Sequence, residues 1–196
     1  MRQHEVPIRS IPEPVSFELR SRRCVIRPAL GGDAWALFEA AQTPGFLDWM
    51  SWEAPTSVAA IEQRFERQLV RWRRGQAFCF SAVDVSCGHV VGGVDLKPDA
   101  FTHDLGCFNL GYWTHPRWQR RGYATEVVAC VVGWAFGSMG THALIAGVAK
   151  ENEASHHILR RLGFVAFERR DTCGTEKRLH NIRYRLYPSG LADLES

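Results

Sequence analysis

The residue types best placed to do chemistry lie between Gly111 and Phe136, in the run GYWTHPRWQRRGYATEVVACVVGWAF. Its centre, Gln119-Arg120-Arg121-Gly122-Tyr123-Ala124, joins a β-prone segment to one with helical apolar spacing. Backbone N–H groups at a helix start lack intrahelical partners, and together with the helix dipole they favour an anion such as phosphate. Gly122 lets the backbone approach a ligand closely, and Arg117, Arg120 and Arg121 add positive charge. The expected chemistry is therefore phosphate binding. The nucleotide patterns G-x-x-x-x-G-K-S/T and G-x-G-x-x-G are absent, which disfavours a generic nucleotide-phosphate binder.

The elements that must hold this turn follow from pattern. Pro7, Pro12 and Pro14 predict an extended arm over residues 1–15. Residues 17–28 read as a first strand around Cys24, Val25 and Ile26, and Asp33 fits as the N-cap of a helix to about Gln42. Thr43 to Pro55 is an aromatic-rich packed loop holding Phe46, Trp49 and Trp52. Thr56 or Ser57 caps a helix to about Arg74 with Val58, Ile61, Phe65, Leu69 and Trp72 on its apolar face.

Residues 77–85 and 90–96 flank a hairpin turn at Ser86-Cys87-Gly88-His89, and a loop covers 98–104. Residues 107–114 form a strand in which Gly111 predicts a bulge or a close backbone approach. The helix after Gly122 buries Val127, Val128, Val131, Trp134 and Ala135, with Gly137 and Gly140 as its stop signals. A strand at 144–149, a helix from Asn152 or Glu153 to Leu162, and a closing hairpin of 164–170 with 177–187 over Cys173-Gly174 complete the chain. The order βααβββαβαββ has no repeat and no linker, and it predicts one α/β or α+β domain over 16–188 with helices on both faces of a single sheet and a short tail at 189–196.

A net charge of +3 and pI near 8.6 are too mild for a nucleic-acid binder, whose basic residues are concentrated on one face. Six cysteines without a C-x-x-C pair argue against a zinc site or a disulfide scaffold and read as buried thiols. The N-terminus lacks the apolar core of a signal peptide, and the longest apolar run, 127–136, is too short to span a bilayer. A cytoplasmic protein with no membrane partner is expected.

Three features in this order and spacing carry a resemblance: Gly111-Tyr112-Trp113 on a strand, Gln119-x-x-Gly122-x-Ala124 followed by Thr125-Glu126, and Asn152-x-x-Ser155 before Leu162-Gly163-Phe164. Over residues 17–187 the chain resembles a GCN5-related N-acetyltransferase (GNAT) of the RimJ/RimL, ribosomal-protein N-terminal branch. The resemblance implies a mixed, twisted sheet of about seven strands splayed around an acetyl-CoA cleft, with no metal. On this carry-over backbone groups of Arg121, Gly122, Tyr123, Ala124 and Thr125 hold the pyrophosphate, Tyr112, Trp113 and Thr114 pair with the pantetheine arm, and Gln119, Arg120, Asn152 and Ser155 also meet the cofactor.

Direct attack of an amine on the thioester needs an oxyanion donor, a group for the leaving thiolate, and a base. The N–H near Trp113, at the expected bulge, is the candidate donor. Ser155 is the candidate thiolate partner, because Leu159 stands where many relatives carry a tyrosine. Asn109 replaces a glutamate common in relatives, so Glu53 becomes the first candidate base, with Asp95 and Asp104 as alternatives and water as another proton carrier. His115, His156 and His157 are weaker bases, and Cys107 and Cys130 lack an activating partner. Phe46, Trp49, Trp52 and Glu53 are the expected acceptor-binding residues.

Two functions compete. One is an acetyl-CoA-dependent N-acetyltransferase acting on a primary amine, either a protein N-terminus or a small molecule such as a polyamine or antibiotic. The other is a catalytically silent acyl-CoA-binding module, suggested by Asn109 and Leu159. Monomer and homodimer are both compatible with the sequence.

Overall fold

Most strands and helices of the computed structural model follow a local signal in the chain; the structure describes residues 11–50, 52–99, 106–173 and 178–188. The arm over 1–10, the alternative base Asp104, the closing-hairpin turn at Gly174 and the tail at 189–196 lie outside the described residues. The strands are β1 (Leu19–Arg20), β2 (Cys24–Pro28), β3 (Phe78–Asp84), β4 (Val90–Pro98), β5 (Cys107–Thr114), β6 (Ala143–Ala149), β7 (Val165–Cys173) and β8 (Arg178–Leu186). They form one sheet in the order β1-β2-β3-β4-β5-β6-β8-β7. All neighbours are antiparallel except β5 and β6.

The sheet has eight strands rather than seven because residues 17–28 are not one strand. The chain turns at Ser21, whose N–H donates to the Cys24 carbonyl at 2.9 Å, and β1 folds back on β2. The helices are α1 (Ala34–Ala41), α2 (Val58–Arg73), α3 (Tyr123–Trp134) and α4 (Glu153–Arg161). Ser57 caps α2, its Oγ accepting from the Ala60 N–H at 3.1 Å. Asp33 precedes α1 but does not cap it with its side chain. Its carboxylate instead accepts from the Arg27 guanidinium at 2.7 and 2.8 Å and from the Leu30 N–H at 2.9 Å.

Gly137 does not stop α3. A wide π-type turn over Ala135–Met139 carries the helix past it, and the chain leaves at Gly140, whose φ of 75° is left-handed. The expected buried thiols hold for Cys24, Cys79 and Cys107, whereas Cys87 is exposed in the β3–β4 turn and Cys130 is half-buried.

The two larger of three apolar clusters among the described residues hold the helices to the sheet. Ala34, Leu37 and Ala40 of α1 join Ile61 and Phe65 of α2 with Phe46 and Cys79. The larger cluster joins Val127, Val128, Val131 and Trp134 of α3 and Leu159 of α4 to Phe80, Val94, Leu96, Leu110 and Leu144. Trp72, at the last turn of α2, reaches into this second cluster, with ring centroids 5.0 Å from Phe78, 4.9 Å from Phe80 and 6.3 Å from Trp134. Its indole N–H donates to the Pro12 carbonyl at 2.9 Å, which docks the described end of the N-terminal segment.

Candidate active site

The ladder between β4 and β5 sets which backbone groups are free. It runs unbroken from Gly92↔Thr114 to Pro98↔Phe108, so the bulge expected at Gly111 is absent from it. The register shifts fall elsewhere, at Ala82/Val83 and Ala166/Glu168. Beyond one end His115 N–H donates to the Val91 carbonyl at 2.9 Å, and beyond the other Asp99 N–H donates to the Cys107 carbonyl at 3.2 Å. Antiparallel pairs alternate between bonded and non-bonded, so the odd-numbered residues of β5 spend their backbone groups on β4 and the even-numbered ones point toward β6. The Gly106 carbonyl obeys the same phase, accepting from His142 N–H at 2.9 Å.

β6 accompanies β5 only from Cys107↔Ala143 to Asn109↔Ile145. Past that point the strands part, and the backbone groups of Tyr112 and Thr114 face the split. This corrects the assignment of an oxyanion donor to Trp113, whose N–H is turned into the β4 ladder. The Trp113 indole lies against Gly93, where a Cβ would stand 2.6 Å from Nε1, and at Gly92 a Cβ would stand 2.4 Å from the Trp113 carbonyl oxygen. Glycine is needed at both places for the strand to carry Trp113. Gly92, Gly93, Tyr112, Trp113, Thr114, Tyr123 and Ala124 line a small pocket between the sheet and the start of α3.

The turn after β5 is held in an unusual backbone shape. Arg120 has φ of 60° and Gly122 of 80°, both left-handed, and only the second is glycine. Gly122 is the N-cap of α3 without a side-chain cap, and the first helical backbone bond runs from Glu126 N–H to the Gly122 carbonyl. The N–H groups of Tyr123, Ala124 and Thr125 are thereby left without partners inside the helix. The Gln119 side-chain amide donates to the Thr114 carbonyl at 3.1 Å and ties the turn to the strand edge. Arg121 lies 5.4 Å over the Trp118 ring. Arg117 does not join the anion site; its guanidinium pairs with Glu39 of α1 at 2.8 Å.

Sequence reasoning missed what braces this turn. Tyr123 is buried, and its hydroxyl donates to Asp84 at 2.6 Å. The Ser86 hydroxyl and then the Tyr123 hydroxyl hold the Asp84 carboxyl well below the usual carboxylate range. Arg23, in the β1–β2 turn, lies 4.0 Å over the Tyr123 ring and donates to Glu126 and to the Arg121 carbonyl. Glu126 is an acid in the first turn of α3, and both of its carboxylate oxygens are engaged by Arg23. The only sequence signal was an acid in a helix's first turn, which carries no partner with it.

On the far wall of the split, Asn152 is the N-cap of α4, its Oδ1 accepting from Ser155 N–H at 3.1 Å. The Tyr112 hydroxyl crosses to this helix and donates to the Ser155 carbonyl at 3.4 Å. Burial pushes the Tyr112 hydroxyl up to about 12, so it keeps its proton at neutral pH. Leu159 is fully buried in the core. His156 is buried between the Tyr184 hydroxyl at 2.9 Å and the Lys150 carbonyl at 3.1 Å, and buried His115 faces Glu39 at 3.4 Å. Both have structural partners rather than an open face.

On the other face Phe46 packs edge-on to Trp113 (6.1 Å, 87°) and to Trp52 (6.3 Å, 67°), and Arg64 lies 5.6 Å from the Trp52 ring. Trp49 stands outside this group, 42% exposed. Glu53 is exposed in the same connection. Asp95 lies across from Gly111 in the ladder and is engaged by Lys97 at 3.0 Å and Arg64 at 3.6 Å. A Cβ at Gly111 would meet nothing within 4 Å, which leaves the face of the strand open beside the aromatic group.

The two parts of the site suit one elongated ligand. A free strand edge offers N–H and C=O to amides, and the uncapped helix start with Arg120 and Arg121 offers donors and charge to a diphosphate. That combination fits the pantetheine and pyrophosphate of acetyl-CoA. Among the described residues no group of three or more His, Cys, Asp or Glu could hold a metal ion, and no helix is long and apolar enough to cross a membrane.

Comparison with known proteins agrees with the geometry. Residues 23–165 match the family described as "Acetyltransferase (GNAT) domain". The chain is 38% identical over 151 residues to the uncharacterized N-acetyltransferase YoaA of Bacillus subtilis (strain 168), covering 74% of this chain and 81% of that protein. Its fold is similar to the ribosomal-protein-S5-alanine acetyltransferase of Vibrio fischeri (TM-score 0.74, 19% identity, 88% of this chain and 97% of that one). It is equally similar to the spermidine N-acetyltransferase of Vibrio cholerae in complex with CoA and spermine (TM-score 0.73, 16% identity, 87% and 98%).

Proposed function

The chain belongs to the GNAT acetyltransferase family and is an acetyl-CoA-dependent N-acetyltransferase, and from that premise we propose that its acceptor is the α-amine of a protein or peptide N-terminus, as in the RimJ/RimL-type branch. The observation that carries this reading is the open face of β5 over Gly111, flanked by the Phe46, Trp52 and Trp113 rings. An extended N-terminal segment can lie across such a face and pack its first side chain on the aromatics. The positive charges of Arg64 and Lys97 around Asp95 make the same wall a poor receptor for a polyamine.

In this reading the cleft-facing N–H groups of Tyr112 and Thr114 polarise the thioester carbonyl, and the free N–H groups of α3 with Arg120 and Arg121 hold the pyrophosphate. Trp113 shapes the acceptor side through its ring. Ser155, in the first turn of α4, and Tyr112, whose hydroxyl donates to the Ser155 carbonyl, each present a hydroxyl there, and one of them meets the sulfur of the leaving thiolate. Glu53, or water in its place, takes the proton of the attacking amine. The protein is active without a membrane or nucleic acid partner and works in the cytoplasm.

A panel assay of CoA release tests the acceptor. Peptides with a free α-amine are expected to be acetylated at least about tenfold more efficiently, in kcat/KM, than spermidine or an α-blocked peptide carrying lysine. The reverse order would replace the N-terminal reading with a small-amine one, and no release with any amine would support a silent acyl-CoA binder. With the preferred peptide, Ser155→Ala and Tyr112→Phe separate the two hydroxyls. The one that meets the sulfur is expected to lose about 10- to 100-fold in kcat with little change in the KM for acetyl-CoA.

A further inference from the structure

We propose that Arg23 is a positioning residue for cofactor binding: it neutralises Glu126 and draws it aside, so that the start of α3 can accept a diphosphate. The proposal rests on the reading of this cleft as the acetyl-CoA site. Arg23 lies about one hundred residues before the turn it serves and outside every motif in the chain, yet four of its groups act there. Its backbone N–H donates to Glu126 Oε1 at 2.7 Å and its Nε to Glu126 Oε2 at 2.8 Å. Its Nη1 donates to the Arg121 carbonyl at 3.0 Å, and its guanidinium carbon lies 4.0 Å over the Tyr123 ring.

The electrostatic problem it answers is specific. Glu126 is the only acid in the first turn of α3, and its N–H donates to the Gly122 carbonyl, so it sits directly behind the three N–H groups that are free to bind. Burial alone would raise its carboxyl, but bonds from Ser21 and Arg23 hold it below the usual glutamate range, so it is ionised at neutral pH. An acid at a helix start is favourable by itself, because it satisfies the dipole. Next to a bound diphosphate the same charge repels the ligand and competes for the same N–H groups. With both carboxylate oxygens taken by Arg23, Glu126 can do neither.

The surrounding charges leave this task to Arg23. Arg117 is paired with Glu39, and Arg121 lies over Trp118. Asp84, the other nearby acid, is occupied by the Tyr123 and Ser86 hydroxyls. The bond to the Arg121 carbonyl has a second effect, since it pins the peptide between the left-handed Arg120 and Gly122.

A double-mutant cycle on CoA binding, measured by calorimetry with no acceptor present, tests the proposal. Arg23→Ala is expected to weaken CoA about tenfold or more, and the loss is expected to shrink to about threefold or less when Glu126→Gln is already in place. Raising the ionic strength is expected to recover part of the loss in Arg23→Ala but not in the double variant. An equal loss in both backgrounds, or no loss in either, overturns the proposal and leaves Arg23 as a brace of the fold. Melting curves confirm that each variant is folded at the assay temperature. Failure of the unaltered protein to bind CoA would instead overturn the reading of the cleft itself.

Discussion

Gly122→Glu is expected to reduce the affinity for acetyl-CoA at least about 100-fold, close to 3 kcal/mol, while the protein stays folded. Three effects combine. A side chain at φ of 80° costs about 1–2 kcal/mol wherever it points, and the turn can relieve this strain by leaving the shape that exposes its N–H groups. A Cβ here would stand 3.5 Å from the Arg23 guanidinium, so the new carboxylate competes with Glu126 for Arg23. Whichever acid loses that competition places an unpaired negative charge at the diphosphate site. Gly122→Ala carries only the first effect, and its loss of affinity is expected to be about tenfold or less. Calorimetric titration of CoA against both variants measures the difference, and retained affinity in Gly122→Glu would remove this turn from the cofactor site.

Trp72→Ala is expected to be the most destabilising single truncation described here, by about 3–5 kcal/mol, lowering the melting temperature by on the order of 10 °C. Trp72 is 1% exposed. Its ring lies between the strand residues Phe78 and Phe80 and Trp134 of α3, and Phe17 packs on it at 5.4 Å. Removing it opens a cavity where four other aromatic rings meet and frees the Pro12 carbonyl from its indole partner. The site lies elsewhere, so at temperatures where the variant remains folded its KM for acetyl-CoA is expected to stay within about twofold. A thermal melt checks the first expectation and steady-state kinetics the second. A shift of only a few degrees would mean that this aromatic cluster repacks around the loss.

How far the chain announces its own site depends on whether a feature is local. The cap at Ser57, the apolar faces of α2 and α3, the β3–β4 hairpin and the helix beginning after Gly122 are written in neighbouring residues and are found where the sequence places them. The position of the split is not. Gly111 signals an irregular strand, but the β4 ladder runs through it unbroken and the opening lies on the opposite edge, where β6 parts company after Asn109. A glycine tells that a backbone is permissive and not which neighbour leaves. The error over Trp113 follows directly, because the choice of donor depends on the phase of a ladder that only the register sets.

Charge pairings were the least legible. Arg117, Arg120 and Arg121 look alike in sequence, yet Arg117 answers Glu39 on another helix, and the arginine that does most to shape the turn is Arg23. Likewise Phe46, Trp49 and Trp52 form one aromatic run in sequence, and the fold brings only the first and last of them to a common group with Trp113. Long-range ion pairs and ring contacts are decided by how elements pack, after the elements themselves exist. Asn152 shows the converse: its capping role is local, and the fold uses its Oδ1 in that way.

Residue-resolved amide hydrogen exchange, with and without saturating CoA, tests most directly that the β5–β6 split and the start of α3 form the cofactor site. Binding is predicted to slow exchange at Tyr112 and Thr114 and at Tyr123, Ala124 and Thr125, and to leave Trp113, already engaged in the β4 ladder, nearly unaffected. Saturable CoA binding that leaves these five amides unchanged while protecting others would contradict it.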